Sequence, residues 1–241
     1  MKVKSRNKSA VTAPVSEIFA SYQGEGIYAG QPQIFVRFAG CNLKCDYCDT
    51  AKSQLTDDSS QLTVKQIIKK AVSLRSTVNG QPSTVSITGG EPLLYPNFLL
   101  KLLPALKKLK FSIYLETNGT LPEAFEKIRR YVDIVAMDIK LPSSCGKAFW
   151  KEHGKFAQLA KEKVFVKVVV TSGTTCKEMK KAVDTIKTVS KRIPFVIQPA
   201  TRTAGCKLPG AARVAGWLRS ARKILKDANA IPQMHKLWGI K

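Results

Sequence analysis

Cys41, Cys45 and Cys48 place three thiols within eight residues of a chain that has only six cysteines. The spacing C-x3-C-x2-C supplies three of the four thiolates that a cubane iron–sulfur cluster takes, one per iron. The iron left without a protein ligand is then open to a small molecule. That design differs from an electron-carrier cluster, whose irons are all held by cysteine, and it reads as a catalytic cluster loop. A structural zinc site fits the loop less well, because it needs four protein ligands. A zinc knob completed by Cys145, Cys176, Cys206, His153 or His235 stays open at this point. A disulfide framework is the remaining bland reading, and it belongs to short secreted chains.

Size and composition bound what surrounds the loop. A chain of 241 residues suits one domain around one core. No stretch approaches the roughly 18 uninterrupted apolar residues of a membrane span. The most apolar run, 98–109, is broken by Lys101, Pro104, Lys107 and Lys108. The N-terminus carries Lys2, Lys4, Arg6 and Lys8 with no apolar run behind them, so residues 1–12 read as a disordered basic tail rather than a signal peptide. Residues 13–241 are expected to form one domain in the cytoplasm, whose reducing setting suits thiolates that hold iron.

The net charge of +23 is uneven. Residues 1–140 hold 19 Lys+Arg against 12 Asp+Glu, and residues 141–241 hold 21 against 5. Nucleic acid is the obvious partner class for such charge. Yet no aromatic RNA-binding run, zinc finger or basic zipper accompanies it. Lysines such as Lys177, Lys180, Lys181 and Lys187 fall at helix-surface spacing, so a solvated basic face is expected instead.

The elements that must position the cysteines alternate between strand and helix. Residues 34–39 (IFVRFA) read as a strand that leads straight into the cysteine loop. Thr63 and Gln66 form a capping box ahead of a helix striped by Ile67, Ile68, Ala71 and Leu74. Further strands are expected at 84–88, 111–116, 133–138, 164–170 and 195–198, and helices at 96–109, 121–131, 146–161, 177–190 and 210–226. Six strands in this alternation argue for a parallel sheet with right-handed crossovers, whose ligands gather at the C-terminal strand ends. The polar residues fall there: the cysteines, Gly89-Gly90-Glu91-Pro92, Glu116-Thr117-Asn118, Asp138-Ile139-Lys140 and Gln198-Pro199.

The cysteine loop after the first strand and the GGEP segment after the second strongly resemble the radical S-adenosylmethionine enzymes. That resemblance implies an α/β fold, an incomplete, TIM-like parallel β/α barrel of about six units. It also implies a [4Fe-4S] cluster on Cys41, Cys45 and Cys48, with S-adenosylmethionine on the vacant iron, where its reductive cleavage releases a radical that removes hydrogen from the substrate. Within the superfamily, YQGEG (22–26), FVRFAG (35–40), CDT (48–50), ITGGEP (87–92), ETNGT (116–120) and PQMHK (232–236) are similar to the 7-carboxy-7-deazaguanine synthases. These enzymes contract 6-carboxy-5,6,7,8-tetrahydropterin to 7-carboxy-7-deazaguanine, with loss of ammonia, in queuosine and 7-deazapurine biosynthesis.

Residue by residue, the resemblance implies pterin contacts from Tyr22, Gln23, Gly24, Glu25, Thr88 and His235, and a bidentate pairing of Arg37 with the pterin carboxylate. It implies S-adenosylmethionine contacts from Tyr47, Cys48, Asp49, Gly89, Gly90, Glu91, Glu116, Asn118, Asp138, Lys140 and Gln198. Thr50 would ligate Mg2+ through its hydroxyl. Expected partners are an acidic flavodoxin or ferredoxin as electron donor and a second copy in a homodimer, with no membrane and no nucleic acid. A glycyl-radical activase shares the cluster loop but leaves QGEG and Arg37 without a role. A basic, zinc-stabilised nucleic-acid-binding module is the reading from another class.

Overall fold

The chain enters on a strand that its residue pattern does not announce, β1 (Thr12–Tyr22), which pairs antiparallel with β2 (Pro32–Phe38) and with the short β3 (Ser60–Thr63). This computed structural model describes residues 11–48, 59–77, 83–201 and 206–240. After β3 come α1 (Val64–Leu74), β4 (Thr84–Gly89), α2 (Pro96–Lys108), β5 (Ser112–Thr117), α3 (Pro122–Ile128) and β6 (Ile134–Asp138). The chain continues through α4 (Pro142–Cys145), α5 (Trp150–Ala160), β7 (Val164–Val170), α6 (Cys176–Val189) and β8 (Phe195–Pro199). It closes with α7 (Ala211–Arg222), β9 (Ala228–Ala230) and α8 (Met234–Trp238).

The nine strands form one open sheet in the order β3-β1-β2-β4-β5-β6-β7-β8-β9. From β2 onward every neighbouring pair is parallel. The six strands expected from apolar runs are all present, in an incomplete β/α barrel with its edges at β3 and β9. The helix expected over 146–161 begins only at Trp150, as α5; the short α4 ahead of it was not expected and ends at Gly146, which takes φ +74°. The last long helix stops at Arg222, short of the expected 226. At α1 the capping box forms: Gln66 N donates to Thr63 Oγ1 at 3.3 Å, and Thr63 N to Gln66 Oε1 at 2.9 Å. No helix among the described residues is long and apolar enough to cross a membrane.

Side chains alternate across a strand, and here the two sets differ in kind. Ile34, Val36, Phe38, Val85, Ile87, Ile113, Leu115, Val135, Met137, Val166, Val168 and Ile197 face the helices in one large apolar core. The alternate set faces the lumen. Toward the N-terminal strand ends it is apolar, with Tyr114, Ala136, Phe165 and Val196 in contact. Toward the C-terminal ends it carries Thr88, Glu116, Asp138, Lys167 and Gln198.

The β1–β2 connection crosses the lumen as a plug. Tyr28 meets the Tyr114 ring edge-on at 5.7 Å and the Phe165 ring at 5.8 Å. Gly26, at φ +64°, lies so near the Phe165 ring that a methyl group there would sit 2.4 Å from it. One end of the barrel is thereby closed and the other left open.

Candidate active site

The cysteine loop is seated on the start of the GGEP segment by backbone approach. Gly90 N donates to Phe38 O at 3.0 Å and Glu91 N to Gly40 O at 2.8 Å. A methyl group on Gly89 would stand 2.0 Å from Phe38 O, and one on Gly90 2.0 Å from Gly40 O. Only glycine fits at either place. Asn42 and Asn118 then brace the loop from the next strand end: Asn118 Nδ2 donates to Asn42 Oδ1 at 2.8 Å, and Asn42 Nδ2 to Thr120 Oγ1 at 2.9 Å.

Cys41, Cys45 and Cys48 are half-buried, free of disulfides, and line one cleft. Leu43 N donates to Cys41 Sγ at 3.4 Å. Burial pushes the Cys41 thiol up and the Cys45 thiol up to about 11, with the Lys140 ammonium pulling the other way. Lys140 donates to Asp138 Oδ2 at 2.8 Å and to Tyr47 Oη at 3.2 Å. Burial works against its charge, but Asp138, Tyr47 and Cys45 outweigh it and hold Lys140 well above the ordinary lysine range.

The opposite wall is built from β1, β2 and the plug, together with lumen-facing residues of β4, β5 and β7. Glu116 is its hub, accepting from Gln23 Nε2 at 2.8 Å and from Thr88 Oγ1 at 2.6 Å. Phe19 and Phe35 stack at 5.0 Å beside Arg37, whose Nε lies 2.8 Å from Glu17 Oε1. Lys167 pairs with Glu25, and Gln233 Nε2 donates to the other Glu25 oxygen at 2.8 Å. Met234 N donates to Gly24 O at 2.8 Å, so α8 docks on the plug with His235 close over Gly24.

Of the residues expected at the site, all within the described range line this cleft of about 290 Å³ except Glu91. Asp49 and Thr50 lie outside the described residues. The Glu91 carboxylate is fully buried behind the rim. It accepts from Leu93 N at 3.0 Å, Asn118 N at 2.8 Å and Thr117 Oγ1 at 2.9 Å, and so ties the ends of β4 and β5 together. Cys145 and Cys206, distant in sequence, come near the cysteine loop: Asp46 N donates to Ser144 O at 3.1 Å, and Tyr47 packs against the small cluster of Val169, Ala200 and Cys206. Among the described residues no three His, Cys, Asp or Glu side chains converge on a point that would hold a single metal ion.

Lys167, Gln233 and the Phe19–Phe35 stack are cleft residues that the sequence reading left out. For Lys167 a signal existed, since it is the one charge in the run VFVKVVV and all seven residues of that strand are buried.

The donor set fits the groups that the motifs imply. Three unbridged thiols share the cleft with polar atoms that have no partner among the described residues. Both amide atoms of Gln198 and Asp138 Oδ1 are buried with no hydrogen-bond partner among the described residues. Buried polar groups are normally paired, so these atoms mark a place for a ligand with its own donors and acceptors.

Known proteins place the chain. The model of the radical SAM superfamily matches residues 35–176. A 7-carboxy-7-deazaguanine synthase of Geobacter sulfurreducens is 34% identical, over 94% of this chain and 97% of its own. Its namesake from Methanothermobacter thermautotrophicus is 33% identical, over 95% and 98%. The crystal structure of QueE from Escherichia coli superposes with a TM-score of 0.64 at 20% identity, over 93% of this chain and 95% of that one, and shares the fold. By motif, by full-length similarity and by architecture, the chain belongs to the radical SAM superfamily and, within it, to the 7-carboxy-7-deazaguanine synthase family.

Proposed function

We propose that this enzyme contracts 6-carboxy-5,6,7,8-tetrahydropterin to 7-carboxy-7-deazaguanine, with loss of ammonia, in a cleft that carries the cofactor on one wall and the pterin on the other. The observation that carries the reading is the joining of the three loop cysteines with the lumen-facing polar set in one closed-ended cleft. Cys41, Cys45 and Cys48 would hold a [4Fe-4S] cluster, and Gln198, Asp138, Asn118, Gly90 and Tyr47 would seat S-adenosylmethionine beside it. When bound, these groups supply one-electron chemistry that removes a hydrogen atom from a carbon of the substrate.

The protein's own residues position, neutralise and exclude. Lys140 offsets the negative charge that three thiolates bring into a sheltered site. Glu116, Gln23 and Glu25 offer carboxylate and amide atoms to the N–H groups of a pterin, and Thr88 holds Glu116 in place. Arg37 faces the same wall with a fork suited to a carboxylate, and Phe19 and Phe35 give it an apolar flank. The Tyr28 plug keeps water from the far end of the lumen, which protects a reactive intermediate.

Mg2+ on the Thr50 hydroxyl, an acidic flavodoxin or ferredoxin as reductant, a homodimer and a cytoplasmic location complete the reading, each resting on the family resemblance. Exposed Lys44, inside the cysteine loop, would favour an acidic donor. The test is anaerobic incubation of reduced, cluster-loaded protein with carboxytetrahydropterin and S-adenosylmethionine, followed by mass spectrometry. Formation of 7-carboxy-7-deazaguanine is expected. A loaded protein that cleaves S-adenosylmethionine yet yields no deazaguanine overturns the assignment.

A further inference from the structure

At the pole of the sheet away from the thiols, the α5–β7 and α6–β8 connections form two walls of an open groove. Its floor is Ile27 and Tyr28, the far side of the lumen plug. One wall carries Lys161 and Lys163, the other Lys191 and Arg192, and Lys226 joins them from the α7–β9 connection. Two carboxylates, Asp133 and Glu162, stand against these five cations. Asp133 is already engaged: it accepts from Lys107 Nζ at 2.7 and 2.8 Å and from Ile113 N at 2.7 Å.

The positive track continues beyond the groove through direct contacts. Lys163 Nζ donates to Arg129 O at 2.8 Å and to Val132 O at 2.6 Å, which brings in the Arg129–Arg130 pair. Lys107 adds the end of α2, where Arg75 of the α1 end reaches Leu109 O at 2.9 Å. On the other side Lys226 N donates to Lys191 O at 2.8 Å. Complementing helix dipoles accounts for cations in the last turn of a helix, such as Lys107 and Lys108 of α2 and Lys187 of α6. It accounts too for Lys161, the C-cap of α5, but not for Lys163, Lys191, Arg192 and Lys226, which lie past the helix ends, on the connections themselves.

We infer that this groove binds a single-stranded nucleic acid through its phosphate backbone. A concave track is closed to a planar bilayer. Protein partners bind through a desolvated apolar or aromatic centre, whereas the large exposed apolar side chain here is Ile27 alone among the described lining residues. A chain of phosphates supplies negative charge at regular intervals along a narrow path, which is the pattern that cations on two facing walls can neutralise. The site is separate from the cleft and stands whether or not the proposed reaction does.

The test titrates the full-length, anaerobically purified holoprotein into a fluorescent oligouridine of about 20 nucleotides, read by anisotropy over a salt series. Log affinity should fall linearly with log salt, by about 0.7 per phosphate neutralised. The pairs Lys191→Glu with Arg192→Glu, and Lys161→Glu with Lys226→Glu, should each weaken binding about tenfold or more and flatten the slope by about 1.4. Lys65→Glu with Lys69→Glu, on the exposed face of α1, should leave both quantities unchanged. Circular dichroism checks each fold, and a reversal pair that fails to fold is replaced by its glutamine pair, expected to flatten the slope by the same amount. Absence of binding at low salt, equal loss from the α1 pair, or displacement of the RNA by polyglutamate or anionic vesicles at matched charge would each overturn the inference.

Discussion

Replacing Lys167 with methionine tests whether the floor of the cleft is held by charge. Lys167 rises from the middle of β7 between Glu25, its ion-pair partner, and Asp138, whose Oδ2 is 3.9 Å away. The side chains of Lys167, Glu25 and Asp138 are 11%, 19% and 11% exposed, too sheltered for water to screen the pair. Methionine keeps the length and the apolar stem and removes only the ammonium. Breaking a buried pair from one side costs about 3–5 kcal/mol, because a charge is left behind. Here Asp138 keeps Lys140 at 2.8 Å and Glu25 keeps the Gln233 amide at 2.8 Å, so the lower end, about 3 kcal/mol, is expected. At this size each kcal/mol moves Tm by about 2–4 °C, giving a fall of about 6–12 °C.

The pH dependence separates this account from simple loss of packing. Burial opposes the Lys167 charge, but Glu25, Asp138 and Glu116 outweigh it and hold Lys167 above the ordinary lysine range. A raised folded pKa gives stability that is full below the unfolded value and lost only as pH climbs through the folded one. The wild-type contribution is therefore flat across neutral pH. In Lys167→Met the stranded Glu25 carboxylate should take up a proton more readily, so the variant regains stability on acidification where the wild type does not. Adding Glu25→Gln should recover about 2 kcal/mol of the loss at neutral pH. Thermal unfolding of the four proteins of this double-mutant cycle, under anaerobic conditions at two pH values, measures the coupling. Additivity within about 0.5 kcal/mol, or a Lys167→Met loss below about 1 kcal/mol, would refute the reasoning.

Gly90→Ala puts a methyl group 2.0 Å from Gly40 O and 3.1 Å from Cys41 Cβ, so the cysteine loop must shift; iron analysis should show less than about half the wild-type cluster content. Cys45→Ala should lose iron and turnover, whereas Cys206→Ala, which alters only the packing under Tyr47, should keep its visible absorbance. Burial lifts the Glu91 carboxyl to about 7 against the donors Asn118, Leu93 and Thr117. Its favourable contribution is then full below about pH 4.5 and lost as pH rises through 7, on the order of 3 kcal/mol over that window. Glu91→Gln should remove that dependence, and denaturant unfolding of both proteins at pH 5.5 and 8 measures it.

Much of this site is legible in the chain because it is written as exceptions to strand patterning. A parallel strand covered on both faces reads as an unbroken apolar run, so periodicity alone reveals that β7 exists but not which of its residues face the lumen. Lys167 settles the parity, and with it Phe165 and Val169. Arg37 does the same for β2, Thr88 for β4, Glu116 for β5, Asp138 for β6 and Gln198 for β8. Each stands on the lumen face, Lys167 at mid-strand and the others near the C-terminal end, where an unpaired polar group would be costly unless a neighbour or a ligand met it.

What stayed hidden depends on partners that sequence distance conceals. β1 is partly exposed and contains Pro14 and Ser16, so its alternation is too weak to announce a strand, and the Arg37–Glu17 pairing across β1 and β2 was invisible with it. The three residues of β9 carry no β-branched signal. Glu91 sits in a motif whose resemblance points to the cofactor, yet its carboxylate turns inward to join two strand ends. A motif therefore records that a residue type is required at a position, while only the packing around it decides whether the requirement comes from the ligand or from the loop that presents the ligand's other contacts.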